Sequence, residues 1–244
     1  MKKKFKVYKN ETDSNVTEMY LYGRIGEPIA EEEETITDSE VRKALNKIST
    51  DKIIIYLNSQ GGDLFAAVSI HNMLIRHKSR VEIVIDAVAA SGGAIIAMAG
   101  DKISMGVNAS MLIHPVHTLT YADAKGHREV AKTLDEMDKS MLSNYEKRFK
   151  GTTRELKKLI DNSTRLTAKE ALAKGLCDEV LDYKDDDDTN NRSRNNMLKA
   201  LTRNRSKNVE SLLNKYSKSD TKDKTLLSKM SNKKENKSLL GKVK

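Results

Sequence analysis

Several features common in other protein classes are missing from this sequence of 244 residues. It contains one cysteine, Cys177, which excludes an internal disulfide framework and a metal site built from several cysteines. No apolar run reaches the ~18–20 residues that a helix needs to span a bilayer. The basic first residues are not followed by an apolar segment, so we expect no signal peptide and a reducing, cytoplasmic environment.

Positive charge is concentrated at one end of the chain. Residues 189–244 contain 16 Lys/Arg and 4 Asp/Glu, a net charge of +12, whereas residues 1–188 carry a net charge of −3. The basic segment has only short apolar clusters in a background rich in Lys, Asn and Ser, which is too little for a core. We therefore predict an N-terminal extension over 1–16, a folded domain over 17–183, and a basic linker and tail over 184–244, disordered or weakly helical.

Segments with strand and helix patterns alternate within the predicted domain. Residues 52–58 form a continuous β-branched run, typical of a buried parallel strand, and 64–77 repeat apolar residues at helical spacing. Further strands are predicted at 17–24, 80–89, 102–106, 110–114 and 177–183. Further helices are predicted at 38–49, directly after Gly92, and at 123–149, 153–163 and 167–175. This order of elements predicts an α/β fold.

Two glycine turns, Gly61-Gly62 and Gly92-Gly93, each join the end of a predicted strand to the start of a helix. Open α/β sheets place their sites at such strand ends, and a helix N-terminus offers free N–H groups to an anion. Ser91 precedes the second turn and is a candidate nucleophile for acyl transfer, whose intermediate carries an oxyanion. From these residues alone, the commoner role for such a serine is to cap the helix in an ordinary tight turn.

His114 closes the predicted strand at 110–114 and is the candidate base, because a hydroxyl needs a base to become a nucleophile. A lone histidine is more often structural, and His71, His77, His117 and His127 follow no functional pattern. The glycine turns match neither phosphate-binding fingerprint, and the histidines lack companions for a metal site.

Taken together, the motifs resemble those of the ClpP-type serine peptidases. The matching segments, in that family's order and near its spacing over about residues 17–182, are YLNSQGGDLFAAVSIHNML, AVAASGGAIIAMAG, MLIHP and TAKEALAKGLCDEV. The motifs MYLYGRIG, NMLIRHK and AMAGDK are most similar to those of the phage-encoded ClpP-related head maturation proteases. The resemblance implies a ClpP/crotonase-like fold of repeated ββα units with a protruding handle helix, and no metal or nucleotide cofactor.

The resemblance also implies which residues act. Ser91 would be the nucleophile and His114 the base. The N–H groups of Gly92 and of the turn at Gly61 and Gly62, chiefly that of Gly62, would form the oxyanion hole.

The third catalytic residue departs from the family's pattern. The position of the catalytic aspartate in bacterial enzymes of the family corresponds to Ser163 here. The matching motif of many phage relatives instead places an aspartate at Asp161. We predict Asp161 as the acid that orients His114. Asn162 or Ser163 in its place, a Ser–His dyad, and a merely solvated Asp161 at a helix end stay open as alternatives.

The function implied by the resemblance is that of an ATP-independent serine endopeptidase that cleaves phage scaffold and capsid proteins during prohead maturation. It would act as a ring-like homo-oligomer in the host cytoplasm or inside the prohead. The alternatives are a proteolytic subunit of an ATP-dependent Clp-type protease, a catalytically silent assembly protein and, last, a coenzyme A enzyme of the crotonase fold. The basic tail predicts contact with an acidic protein or nucleic acid, or a solubilising role, and no membrane partner is expected.

Overall fold

Strands and helices alternate as predicted in the computed structural model, which describes residues 6–10, 13–30 and 34–182. The predicted α/β fold class is confirmed. The predicted tail at 184–244 lies outside the described residues. Within the described part of the chain, no helix is long and apolar enough to cross a membrane.

Two sheets are built from the strands of the described residues. The strands are β1 (Lys6–Lys9), β2 (Val16–Tyr22), β3 (Arg24–Ile25), β4 (Thr35–Ile36), β5 (Lys52–Ser59), β6 (Arg80–Ala90), β7 (Lys102–Gly106), β8 (Ser110–Ile113), β9 (Thr164–Thr167) and β10 (Glu179–Leu181). The larger sheet has the order β1-β2-β5-β6-β7-β10, with all pairs parallel except β1 with β2. Strand β8 pairs with β6 in parallel and with β9 antiparallel, while β3 and β4 form a separate parallel pair.

The helices begin at side chains that cap them. They are α1 (Asp38–Leu45), α2 (Leu64–Ile75), α3 (Gly92–Ala97), α4 (Ala124–Glu146), α5 (Thr153–Asp161) and α6 (Ala168–Ala173). Side-chain oxygens of the preceding residues accept backbone N–H bonds in the first turns of all but α3: Thr37, Asp63, Asp123, Thr152 and Thr167. Each such bond satisfies one of the donors that a helix start leaves unpaired.

The core lies on one face of the parallel strands. Ile53, Ile55 and Leu57 of β5 are fully buried and alternate with half-buried residues, as do the buried residues of β6. This alternation places one face of the sheet against helices and leaves the other partly open, because successive side chains of a strand point to opposite faces. The buried side chains of α2 and α3 belong to the same apolar core.

Local contacts explain where the elements differ from the predicted bounds. The strand predicted at 17–24 is interrupted at Gly23, whose φ is +114° and where a Cβ atom would lie 2.2 Å from the carbonyl oxygen of Glu34. Strand β1 lies inside the predicted N-terminal extension, where it pairs with β2. Strand β9 was not predicted, because Leu166 is its one buried residue and a single apolar side chain gives no alternation.

The long strand β6 changes partner halfway, and this positions the candidate site. Its residues 82–85 pair with β7, whereas residues 88–90 pair with β8. Ser91 follows the second half of β6 directly, and His114 follows β8 directly. The parallel pairing therefore delivers the candidate nucleophile and the candidate base to the same edge of the sheet.

Candidate active site

Ser91 sits between β6 and α3 in a backbone conformation that is rare for a residue with a side chain. Its φ is +54° and its ψ is −122°, and its side chain makes no capping hydrogen bond to α3. Its carbonyl oxygen accepts from the N–H groups of Ala94 and Ile95 at 2.9 and 3.2 Å. The alternative role as a helix cap is therefore not observed. A strained backbone at a residue whose side chain caps no helix is typical of a functional position.

The first glycine turn packs directly against Ser91. A Cβ atom at Gly61 would lie 2.6 Å from the Cβ of Ser91 and 3.1 Å from the backbone nitrogen of Gly92. Since real Cβ contacts are longer than this, only glycine allows the two turns to approach so closely. The sequence YLNSQGGD thus brings backbone, not a side chain, against the candidate nucleophile.

His114 is held by its own backbone neighbour. Its Nδ1 lies 2.6 Å from the carbonyl oxygen of Pro115. A carbonyl oxygen can only accept, so Nδ1 carries the proton and Nε2 is left as the free acceptor. The ring of His114 also stacks on that of His117, with centroids 4.7 Å apart and planes inclined by 23°. Both contacts fix the orientation of the candidate base.

A cavity of about 170 Å³ brings these groups together. Three of the predicted site residues, Gly62, Ser91 and His114, line it. The other lining residues are Leu64, Ile95, Pro115, Val116, His117, Asp138, Met141, Tyr145 and Ile160. The cavity therefore combines a hydroxyl, an imidazole and glycine backbone with largely apolar walls.

The predicted anion donors are N–H groups of the two glycine turns, of which Gly62 lines the cavity and Gly92 follows Ser91 directly. The N–H of Gly61 donates to the hydroxyl of Ser59 at 3.0 Å and is already used. For Gly62 and Gly92, no hydrogen bond from the N–H to an acceptor is present among the described residues. Gly92 is the first residue of α3, where the N–H groups have no partner within the helix. The predicted donors Gly62 and Gly92 are thus free in this structure, whereas the predicted Gly61 serves the turn.

Asp161 is placed differently from the prediction that made it the orienting acid. It is exposed at the end of α5, and its two carboxylate oxygens accept from Lys157 at 2.8 and 2.9 Å. It is not among the residues that line the cavity, although the adjacent Ile160 is. Ser163 has a φ of +50° and is also exposed. The structure brings Ser91 and His114 to one cavity but does not bring Asp161 to them.

Asp138 of α4 also lines the cavity and was not among the predicted site residues. One of its carboxylate oxygens accepts from the N–H of Val116 at 2.7 Å. A signal for it exists in the sequence, because Asp138, Met141 and Tyr145 follow one another at helical spacing. Because Asp138 lies in line with the apolar residues Met141 and Tyr145, it belongs to the inner face of the helix.

Burial keeps two other titratable groups near the cavity neutral. Tyr145 is buried, and desolvation raises the pKa of its phenol well above the usual range. Desolvation also lowers the pKa of His71, whose Nδ1 lies 2.8 Å from the carbonyl oxygen of Ile95. His71 therefore anchors α3 as a neutral donor. Within the described residues, no group of three or more His, Cys, Asp or Glu side chains could hold a metal ion.

The chain is similar in sequence to proteins of one known family. A Clp protease family profile matches residues 20–184. The chain is 30% identical over 142 residues to the ATP-dependent Clp protease proteolytic subunit of Streptococcus mutans, an alignment covering 55% of this chain and 70% of that protein. It is 30% identical over 139 residues to the ATP-dependent Clp protease proteolytic subunit 3 of a Synechococcus species, covering 55% of this chain and 69% of that protein.

A solved structure has the same fold. A mutant of ClpP1 from Listeria monocytogenes superposes with a TM-score of 0.58 at 24% identity, covering 68% of this chain and 92% of that one. At this identity the likeness concerns the fold alone. With the profile matching more than half of the chain and the relatives covered over more than two thirds of their length, the chain belongs to the Clp protease family.

Proposed function

We propose that the chain is a serine endopeptidase in which Ser91 is the nucleophile and His114 the general base. One observation carries the proposal: Ser91, His114 and Gly62 line a single cavity, although they come from three different strand ends. The strained backbone of Ser91 and the absence of a capping bond support it. The names of the Clp protease relatives agree with it.

The proposed reaction is acyl transfer to Ser91. Nε2 of His114 takes the hydroxyl proton of Ser91 while the Ser91 oxygen forms a bond to the peptide carbonyl carbon. The N–H groups of Gly62 and Gly92 donate to the resulting oxyanion. His114 then gives its proton to the leaving amine as the peptide bond breaks. Water, deprotonated by His114, releases the acyl group and restores the Ser91 hydroxyl.

In this proposal His114 is oriented by backbone and by stacking. The Pro115 carbonyl keeps the proton on Nδ1, which is the tautomer that a general base acting through Nε2 requires. Asp161 would contribute only in a state in which its ion pair with Lys157 is broken. The proposal is therefore a Ser–His dyad, one of the arrangements that the sequence left open.

For the physiological role, we propose cleavage of phage scaffold and capsid proteins during prohead maturation, without ATP. The support is the wording of the segments MYLYGRIG, NMLIRHK and AMAGDK and the net charge of +12 on residues 189–244, which suits docking to an acidic protein surface. A ring-like homo-oligomer is part of the proposal. Its support is that α4 exposes most of its length and that Leu119 and Tyr121 before it are fully exposed.

A second role is favoured by the names of the relatives. Two of them are proteolytic subunits of ATP-dependent Clp proteases, so the chain could act as the peptidase partner of an ATPase. The two roles differ in what delivers the substrate, not in the chemistry at Ser91. Copurification of an ATPase with the full chain from its host would support this second role.

Labelling by a fluorophosphonate probe tests the chemistry. The full chain should be labelled on Ser91, and the variants Ser91→Ala and His114→Ala should not be. Ser140→Ala, which removes an exposed serine of α4, serves as the matched control and should be labelled like the wild type. Labelling that persists in Ser91→Ala would overturn the assignment of the nucleophile.

Coexpression with scaffold and capsid proteins tests the role. Mass spectrometry of the products should show cleaved scaffold and capsid segments with the wild type and intact proteins with Ser91→Ala. If the probe labels the wild type but both proteins stay intact, the role in prohead maturation is contradicted. The proposed peptidase activity would still hold.

A further inference from the structure

Asp138 puts a negative charge into the wall of the candidate active-site cavity. Among the described residues that line this cavity, it is the one that carries a carboxylate. We propose that the cavity receives a Lys or Arg side chain of the substrate peptide and that Asp138 binds its cationic group. This specificity rests on the proposed peptidase function, and it concerns the residue whose carbonyl Ser91 attacks, since that residue is nearest to Ser91 and His114.

The position of the carboxylate is fixed relative to the base. One oxygen of Asp138 accepts from the N–H of Val116 at 2.7 Å, and Val116 lies between the stacked rings of His114 and His117 in the chain. Within the described residues, no hydrogen bond reaches the other carboxylate oxygen. That oxygen is available to a ligand, and the hydrogen bond to Val116 ties Asp138 to the segment that carries His114.

The size and walls of the cavity match a long cationic side chain. A volume of about 170 Å³ is below the ~300 Å³ at which pockets for drug-sized ligands begin, so the cavity holds one side chain. Ile95, Met141 and Ile160 give it apolar walls. Lys and Arg combine an apolar stem with a charged end, so their stems can pack on these walls while the end meets Asp138. A Leu side chain would leave the second oxygen of the carboxylate without a partner.

The charges around Asp138 favour a cation over an anion. Lys157 is the nearby ammonium, and both of its hydrogen bonds of 2.8 and 2.9 Å go to Asp161. The hydrogen bond that Lys157 donates to Asp161, followed by the charges of Asp161, Asp138 and Asp135, raises the pKa of Lys157. Three carboxylates thus act on the charge of Lys157, whose hydrogen bonds go to Asp161. A second cation at Asp138 would reduce the remaining negative charge.

Cleavage of peptides that differ in one residue tests the proposal. The peptides are internally quenched and carry Lys, Arg, norleucine, Leu or Glu before the scissile bond. Norleucine keeps the Lys stem and removes the charge. We expect kcat/KM for Lys and Arg to exceed that for norleucine by about 10- to 100-fold, the range for a hydrogen bond to a charged group, with Glu the poorest.

Asp138→Asn is the variant that isolates the charge. An amide oxygen can still accept from Val116, so the segment that carries His114 keeps its support. The ratio of kcat/KM for the Lys peptide to that for the norleucine peptide should fall about 10-fold or more. Asp135→Asn, one turn earlier and exposed, is the matched control and should leave the ratio unchanged. An unchanged ratio in Asp138→Asn would overturn the proposal.

A binding measurement separates this proposal from the peptidase function. The full-length Ser91→Ala chain is titrated with the Lys and norleucine peptides by calorimetry, with and without Asp138→Asn. Tighter binding of the Lys peptide that is lost with Asp138→Asn supports the basic pocket even if the wild type cleaves nothing. If the Ser91→Ala chain binds both peptides equally and the wild type cleaves them, the basic pocket is refuted. The proposed peptidase function is then unaffected.

Discussion

The N–H of Ser91 donates a hydrogen bond of 2.9 Å to the carbonyl oxygen of Leu112. This bond continues the parallel pairing in which Ala90 of β6 lies opposite Leu112 of β8. His114 therefore follows its strand at a fixed offset from Ser91. Because each of the two residues directly follows one of two paired strands, the pairing holds the candidate dyad in place before a substrate binds.

Replacing Ser91 separates its chemistry from its strain. Ser91→Ala and Ser91→Gly both remove the hydroxyl, so we expect peptide cleavage to be abolished in both. Glycine adopts a positive φ without steric cost, whereas alanine keeps the strain of φ +54°. The free energy of unfolding should be about 1 kcal/mol higher for Ser91→Gly than for Ser91→Ala, as measured by urea denaturation. Equal stabilities would mean that Ser91 is not strained.

The parts of the site that depend on local sequence could be predicted. The turns at Gly61 and Gly92 stand out because glycine pairs interrupt strongly apolar patterns, and His114 ends a recognisable strand. That these residues share a cavity depends on β6 changing partner between residues 85 and 88, which no local pattern reveals. The family resemblance supplied that information, and the strand pairing gives its physical reason.

The surroundings of the dyad could not be predicted in the same way. Asp138 enters the cavity because of how α4 packs, and the resemblance assigned that helix only a role as a handle. Asp161 stays a prediction as the third catalytic residue, and its carboxylate pairs with Lys157 one turn earlier. An acid and a lysine four residues apart on a helix commonly pair, so this competition was visible in the sequence.

Asp161→Asn tests whether this acid takes part in catalysis. In serine proteases that depend on their aspartate, the corresponding change lowers kcat by about 10⁴-fold. With Asp161 exposed and bound to Lys157, we expect a loss of less than about 10-fold here. The kcat of Lys157→Ala, which removes the ion-pair partner of the Asp161 carboxylate, is measured in the same assay. A loss near 10⁴-fold in Asp161→Asn would show that Asp161 reaches His114 during turnover.

Leu119 and Tyr121 test the proposed oligomer. Both are fully exposed, with relative exposures of 101% and 104%, in the segment between His117 and α4. Apolar side chains exposed together mark surfaces that bind other proteins or further copies of the chain. We expect sedimentation to show an oligomer for the wild type and smaller species for the double variant Leu119→Ser, Tyr121→Ser. Thr120→Ser, between them, is the control, and a wild type that stays monomeric at high concentration would contradict the proposal.

The stability of the fold should depend on Asp86, a carboxylate on β6. The hydroxyl of Tyr22 donates to it, and burial raises the pKa of Asp86 from 3.8 to about 6. Between about pH 4 and 6 the folded chain therefore keeps a proton on Asp86 that the unfolded chain has lost. Because the folded state binds more protons in this range, stability falls as the pH rises through it and levels off above about pH 6.

Asp86→Asn removes this pH dependence and keeps an acceptor for Tyr22. The difference of about two pKa units corresponds to roughly 1–3 kcal/mol of stability lost by the wild type on going from about pH 4 to pH 7. In urea denaturation, the variant should gain stability relative to the wild type as the pH rises, by that amount. Glu82→Gln on the same strand is the control, since its carboxylate pairs with Lys52 and Arg80 at the surface. A difference between wild type and Asp86→Asn that is constant with pH would mean that Asp86 is already ionised at pH 4 in the folded chain.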